Sequence, residues 1–130
     1  MKTVSGEDKP STLRLEECHK KWSDIYPSYS SISDKSKGFY DNVFAKFTSW
    51  CAVKDIEFIE HVHRGTALAY SKHLWDSGIT GKTYNEHLKH LSRVFSTIDA
   101  TTPLPYRDPF NRNMNFRIFP NFKIKPLFFQ

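Results

Sequence analysis

Apolar residues recur three and four positions apart in several stretches of this chain, the spacing that gathers them on one face of a helix. The clearest run is Tyr84, Leu88, Leu91, Phe95 and Ile98, at intervals of 4, 3, 4 and 3. It predicts a helix ending near Ile98, with Thr80 as its N-cap. Upstream, Phe39, Val43, Phe47 and Trp50, with Tyr40 and Phe44 beside them, predict a helix over residues 34–50. A short first helix is expected from Ser11 or Thr12 through Trp22. Residues 23–33, with Pro27 and five serines, read as the loop after it.

The third helix is expected to open at Asp55, whose carboxylate can accept a bond from a free amide of the first turn. It would carry Ile56, Ile59, Val62, Ala69, Leu74 and Trp75, and stop at Ser77-Gly78, where glycine can turn left-handed. Gly65 inside it costs about 1 kcal/mol relative to alanine, which allows a bend or break there. Beyond Asp99, Pro103, Pro105 and Pro109 exclude helix and favour a linker. The last run, NFRIFPNFKIKPLFFQ, alternates between apolar and basic or prolyl residues and fits an edge strand or an extended tail. The expectation is therefore all-α: a small bundle over residues 12–110, a disordered stretch over residues 1–11, and a basic linker or tail over residues 111–130.

Size and composition narrow this only a little. The 130 residues suffice for one core and not for two. No run approaches the roughly 20 apolar residues that cross a bilayer, so no membrane partner is expected. The opening MKTVSGEDKPST has no apolar core and does not read as a secretory signal. Cys18 and Cys51 are too few for a zinc site or a disulfide framework, and a reduced, cytoplasmic location is the expectation. The net charge of +5 is uneven: eleven basic residues balance eleven acidic ones over residues 1–78, whereas residues 101–130 contribute +4. A basic end suggests an acidic partner, nucleic acid first, or else a solubilising tail.

Three candidate chemistries fall away. "GITGKT" at residues 78–83 resembles half of a phosphate loop, but the first glycine of that motif would stand at Asp76, where a carboxylate repels phosphate. The motif must also follow a buried strand, and residues 67–75 are helix-like. His61 with His63, and His87 with His90, form pairs, but a zinc site needs three or four ligands, so these read as surface or partly buried histidines without metal. No serine sits in a nucleophile turn and no carboxylate pair is placed by a motif. No cofactor and no small-molecule substrate are implied.

What remains is the polar face of the last helix. Lys82, Asn85 with Glu86, Lys89, Arg93 and Ser96 recur at the same spacing, opposite the apolar stripe. Lysine and arginine neutralise phosphates, and asparagine and arginine can read base edges. A helix start carrying Thr80, Lys82 and Thr83 is also a seat for phosphate, because its amides are unpaired and its dipole is positive there. The plain alternative is a solvated helix face.

The stretch AYSKHLWDSGITGKTYNEHLKHLSRVF, residues 69–95, resembles the N-terminal SAM-like core-binding domain of tyrosine recombinases, the phage-integrase type. An aromatic-bearing helix ends in a glycine, a short turn follows, and Thr83-Tyr84-Asn85 opens a helix with Leu88, Leu91 and Phe95 at core spacing. Tyr40, Phe44, Phe47 and Trp50 are similar to the first long helix of that domain. Asp108-Pro109-Phe110 is similar to its closing motif, with Asp where Asn is usual. The resemblance covers about residues 12–110 and implies a SAM-like bundle of four to five helices that holds one face of duplex DNA as half of a clamp. It implies DNA-binding roles for Lys82, Thr83, Asn85, Lys89 and Arg93, and secondarily for Lys72 and His73, with other recombinase protomers as partners on the DNA. The family's catalytic residues belong to a second domain whose motifs do not occur here, so this chain is expected to bind without cutting. The Phe-rich run from Asn111 departs from the family's charged linker. The alternatives are a protein-interaction or oligomerisation module, and a degenerate integrase fragment without DNA affinity.

Overall fold

The computed structural model describes residues 13–110. The expectations for the N-terminal stretch and the Phe-rich tail lie outside those residues. Four α-helices follow in order: α1 (Leu15–Ile25), α2 (Asp34–Val53), α3 (Arg64–Asp76) and α4 (Gly81–Thr101). Single 3-10 turns at Tyr29–Ser31 and Ile59–His61 interrupt the first two connections. No strand is present among the described residues, so the fold is all-α. The nearest approach to a sheet is one antiparallel bridge between Arg14 and Phe58.

The amphipathic α4 is the centre, with α1, α2 and α3 each packed against it. Its expected stripe, Tyr84, Leu88, Leu91, Phe95 and Ile98, is buried throughout, joined by His87, His90 and Val94. The stripe meets Leu15, Cys18 and Trp22 of α1, Val43, Phe44, Phe47 and Cys51 of α2, and Ala67, Tyr70 and Leu74 of α3. Each fully buried leucine or phenylalanine contributes roughly 1.5–3 kcal/mol relative to exposure. Phe47 is a hub, with ring centroids 5.0 Å from Tyr70, 5.3 Å from Phe110 and 6.1 Å from Phe95.

The helix ends carry their own causes. Ser33 caps α2 by accepting the Ser36 amide at 3.1 Å, and Thr80 caps α4 by accepting the Thr83 amide at 3.2 Å. Gly78, at φ 91°, supplies the expected left-handed residue after α3.

Several local expectations are corrected. Asp55 does not open a helix; it ends one. Its φ of 62° is left-handed, and the next amide, Ile56, donates back to the Cys51 carbonyl at 2.9 Å, closing α2. The third helix begins at Arg64, with His63 as cap: His63 Nδ1 accepts the Gly65 amide at 3.0 Å. Gly65 therefore sits in the first turn, and Ile59 and Val62 are buried from the connecting segment. Phe39, expected in the core, is 36% exposed. The proline-rich segment after α4 is non-helical as expected, yet Pro109 and Phe110 are buried. Asp99 Oδ1 accepts the Leu104 amide at 2.8 Å and starts the return, and Ser92 of α4 donates its hydroxyl to the Asp108 carboxylate.

Candidate nucleic-acid interface

The solvent side of α4 is set by the burial of its other side. Lys82 and Lys89 are exposed, two turns apart, with no apolar neighbour in their own register exposed between them. Lys82 makes no ion pair among the described residues, while Lys89 Nζ lies 3.9 Å from Glu86 Oε2. That contact is long and exposed, so it withholds little of the lysine's charge from a ligand.

Asn85 lies between them and is half-buried; its Oδ1 is covered and has no hydrogen-bond partner. It presents that oxygen to a ligand only after a side-chain rotation. Thr83 is two residues from Asn85, roughly 160° around the helix. Its amide donates to Thr80 Oγ1, and its own Oγ1 is 3.0 Å from the same atom. Thr83 thus serves the helix cap and stands on the other flank from Asn85.

Arg93 shares the periodicity but not the exposure. Its guanidinium carbon lies 5.1 Å from the Tyr40 ring centroid and 5.9 Å from that of Tyr26, so it is folded back over the junction of α1 and α2. On α3, Lys72 is exposed and bound to Asp76 at 3.0 Å. His73 is exposed beside the Trp50 ring, 6.2 Å between centroids, and faces the end of α2. The fold thus groups Lys82, Asn85 and Lys89, holds Arg93 back at one edge, and places His73 on a different surface.

The sequence gives no sign of one further cluster. His19 of α1 and His90 of α4 meet with their Nε2 atoms 2.9 Å apart, and His19 Nδ1 lies 3.2 Å from Asp41 Oδ1 of α2. Tyr40 stacks flat on His90 at 4.2 Å, and Trp22 meets it edge-on at 4.8 Å. Burial pushes His90 down to about 2, with His19, Arg93 and His87 adding repulsion; it pushes His87 to about 4 and lowers His19 against the pull of Asp41. The expectation of surface or partly buried histidines fails at His90, which is fully covered. The cluster is built into the packing of α1, α2 and α4. Among the described residues, no group of three or more His, Cys, Asp or Glu side chains is placed to hold a metal ion.

Cys18 and Cys51 are buried free thiols, pushed up to about 12 by burial, and are unreactive. No helix among the described residues is long and apolar enough to cross a membrane. No family model, curated protein or solved structure matches this chain.

Proposed function

We propose that this chain is a DNA-binding domain of the core-binding, SAM-like type found in tyrosine recombinases, holding duplex DNA through the outer face of α4. The observation that carries the reading is the pairing of Lys82 and Lys89 on the open side of a helix whose remaining faces are buried. The helix start adds the positive end of its dipole, which suits a phosphate, although Thr80 already takes the Thr83 amide. The reading is further supported by where the resembling residues fall. The glycine-ended helix is α3, Thr83-Tyr84-Asn85 lies in the first turn of α4, and Phe110 closes the core.

Phosphate contact is the main term and base reading a minor one. Two projecting lysines position a backbone, and one half-covered asparagine reads little sequence. The domain assists a recombination enzyme without cutting DNA itself. A half-clamp by itself binds weakly, since a linked second site would add effective concentration.

The test is duplex affinity of Lys82→Ala/Lys89→Ala against Arg93→Ala. The lysine pair is expected to lose most of the binding with an unchanged thermal midpoint. Arg93→Ala is expected to lower both affinity and stability, because it also removes two ring contacts. An affinity untouched by the lysine pair would sink the assignment to α4.

A further inference from the structure

A second surface lies on α2. This helix packs against α4, and its last turns turn Ala45, Ser49, Ala52 and Val53 to solvent, Val53 at 81% exposure. A few exposed small residues are ordinary. The two grooves that flank this ridge are not.

On one side the ridge borders a groove with Lys46, Trp50, Lys54 and His73. Lys54 Nζ stands 5.6 Å from the Trp50 ring centroid. Neither Lys46 nor Lys54 has a carboxylate partner among the described residues, whereas Lys20, Lys72 and Lys89 each have one within their own helix. On the other side the groove holds Glu16, Asp55, Glu57 and Arg14. Arg14 pairs with Glu57, which leaves Glu16 and Asp55 uncompensated. Ser49 lines both grooves, so opposite charges stand side by side across one narrow strip of small side chains.

We propose that this ridge binds a second copy of the chain, α2 crossing α2 near Ser49 about a two-fold axis. A two-fold contact uses the same patch twice, so it must be complementary to itself. An axis that passes Ser49 and runs along the ridge turns the basic groove of one copy onto the acidic groove of the other, and does so twice. A groove of one sign alone would repel itself. Alanine and serine at the crossing let the helix axes approach closely, and Val53 gains burial against the other copy. The charged rims choose partner and register more than they add strength. The surface is small, so the dimer is weak and salt-sensitive. It leaves the α4 face open and does not depend on the DNA reading.

Sedimentation of the whole 130-residue chain without DNA tests this. The wild type is expected to dimerise reversibly at low salt, with a dissociation constant on the order of 10–100 µM, and to be mainly monomeric at about 1 M salt. Val53→Glu is expected to abolish the dimer. Lys46→Glu/Lys54→Glu makes both grooves acidic, and Glu16→Lys/Asp55→Asn makes neither acidic. Each of these variants alone is expected to be monomeric, and an equimolar mixture to dimerise. All are exposed positions, and unchanged helical circular dichroism confirms folding. A chain that stays monomeric leaves the grooves to a foreign partner and overturns the proposal. So does a dimer indifferent to Val53→Glu, or a mixture that fails to associate.

Discussion

His19 and His90, 71 positions apart in sequence, share one proton between their Nε2 atoms across 2.9 Å. Asp41 fixes which ring gives it. A carboxylate 3.2 Å from His19 Nδ1 accepts the hydrogen there, which leaves His19 Nε2 bare. His90 must therefore donate through Nε2, and its Nδ1, buried and unpaired, is an acceptor without a donor. An added proton on this pair would place charge among Trp22, Tyr40 and Arg93, so the fold keeps it neutral.

Acid should therefore weaken the domain through its histidines. His19, His87 and His90 have lowered folded-state values, so the unfolded chain binds more protons below its usual histidine value of 6.5. Stability is fully present above about 6.5 and is lost as pH falls toward the folded values, by about 1.4 kcal/mol per pH unit for each histidine kept neutral. Urea unfolding should show a loss of about 2–4 kcal/mol between roughly pH 7 and pH 5. His90→Gln should shallow that slope; an unchanged slope would show that the pair is not the cause.

Asp108 should be better as asparagine at neutral pH. Burial raises its carboxyl value, although Ser92 donates to one oxygen and the Phe110 amide to the other at 3.0 Å. A raised carboxyl contributes most below its unfolded value and costs stability as pH rises through the folded one. Asp108→Asn keeps an acceptor for the Phe110 amide and can donate to Ser92 Oγ. The expected gain is about 0.5–1 kcal/mol at pH 7, vanishing near pH 3, read from denaturant midpoints.

Phe110 should act as a core residue despite following three prolines. It is fully buried against Phe47, Phe95 and Tyr70. Phe110→Ala should cost about 3–5 kcal/mol, measured by chemical denaturation. A cost below about 1 kcal/mol would mean the segment is not docked in solution.

These sites also show what a sequence can and cannot disclose. α4 was legible because cap, period and burial agree: Thr80, then Tyr84 through Ile98. Asp55 was misread because aspartate suits both an N-cap and a left-handed helix end, and only the Ile56 to Cys51 bond distinguishes them. The prolines after Asp99 read as linker because they mark the end of a helix and say nothing of what docks afterwards; only the resemblance at Asp108-Pro109-Phe110 points to a closing residue there. Arg93 carries the period of the basic face, yet Tyr26 and Tyr40, which hold it, arrive from distant helices. His19 and His90 had no local signal at all, since their pairing exists only once α1 meets α4.

The most direct test of the central claim is a salt titration of duplex DNA binding by the whole chain. Contacts from Lys82 and Lys89, with Arg93 at the edge, predict a log–log slope of about −2 to −3, at about −0.9 per neutralised phosphate. The slope should shallow by about 1.8 in Lys82→Ala/Lys89→Ala, leaving at most the single contact of Arg93. No binding even at about 20 mM salt, or binding that ignores salt, would contradict a phosphate-holding role for α4.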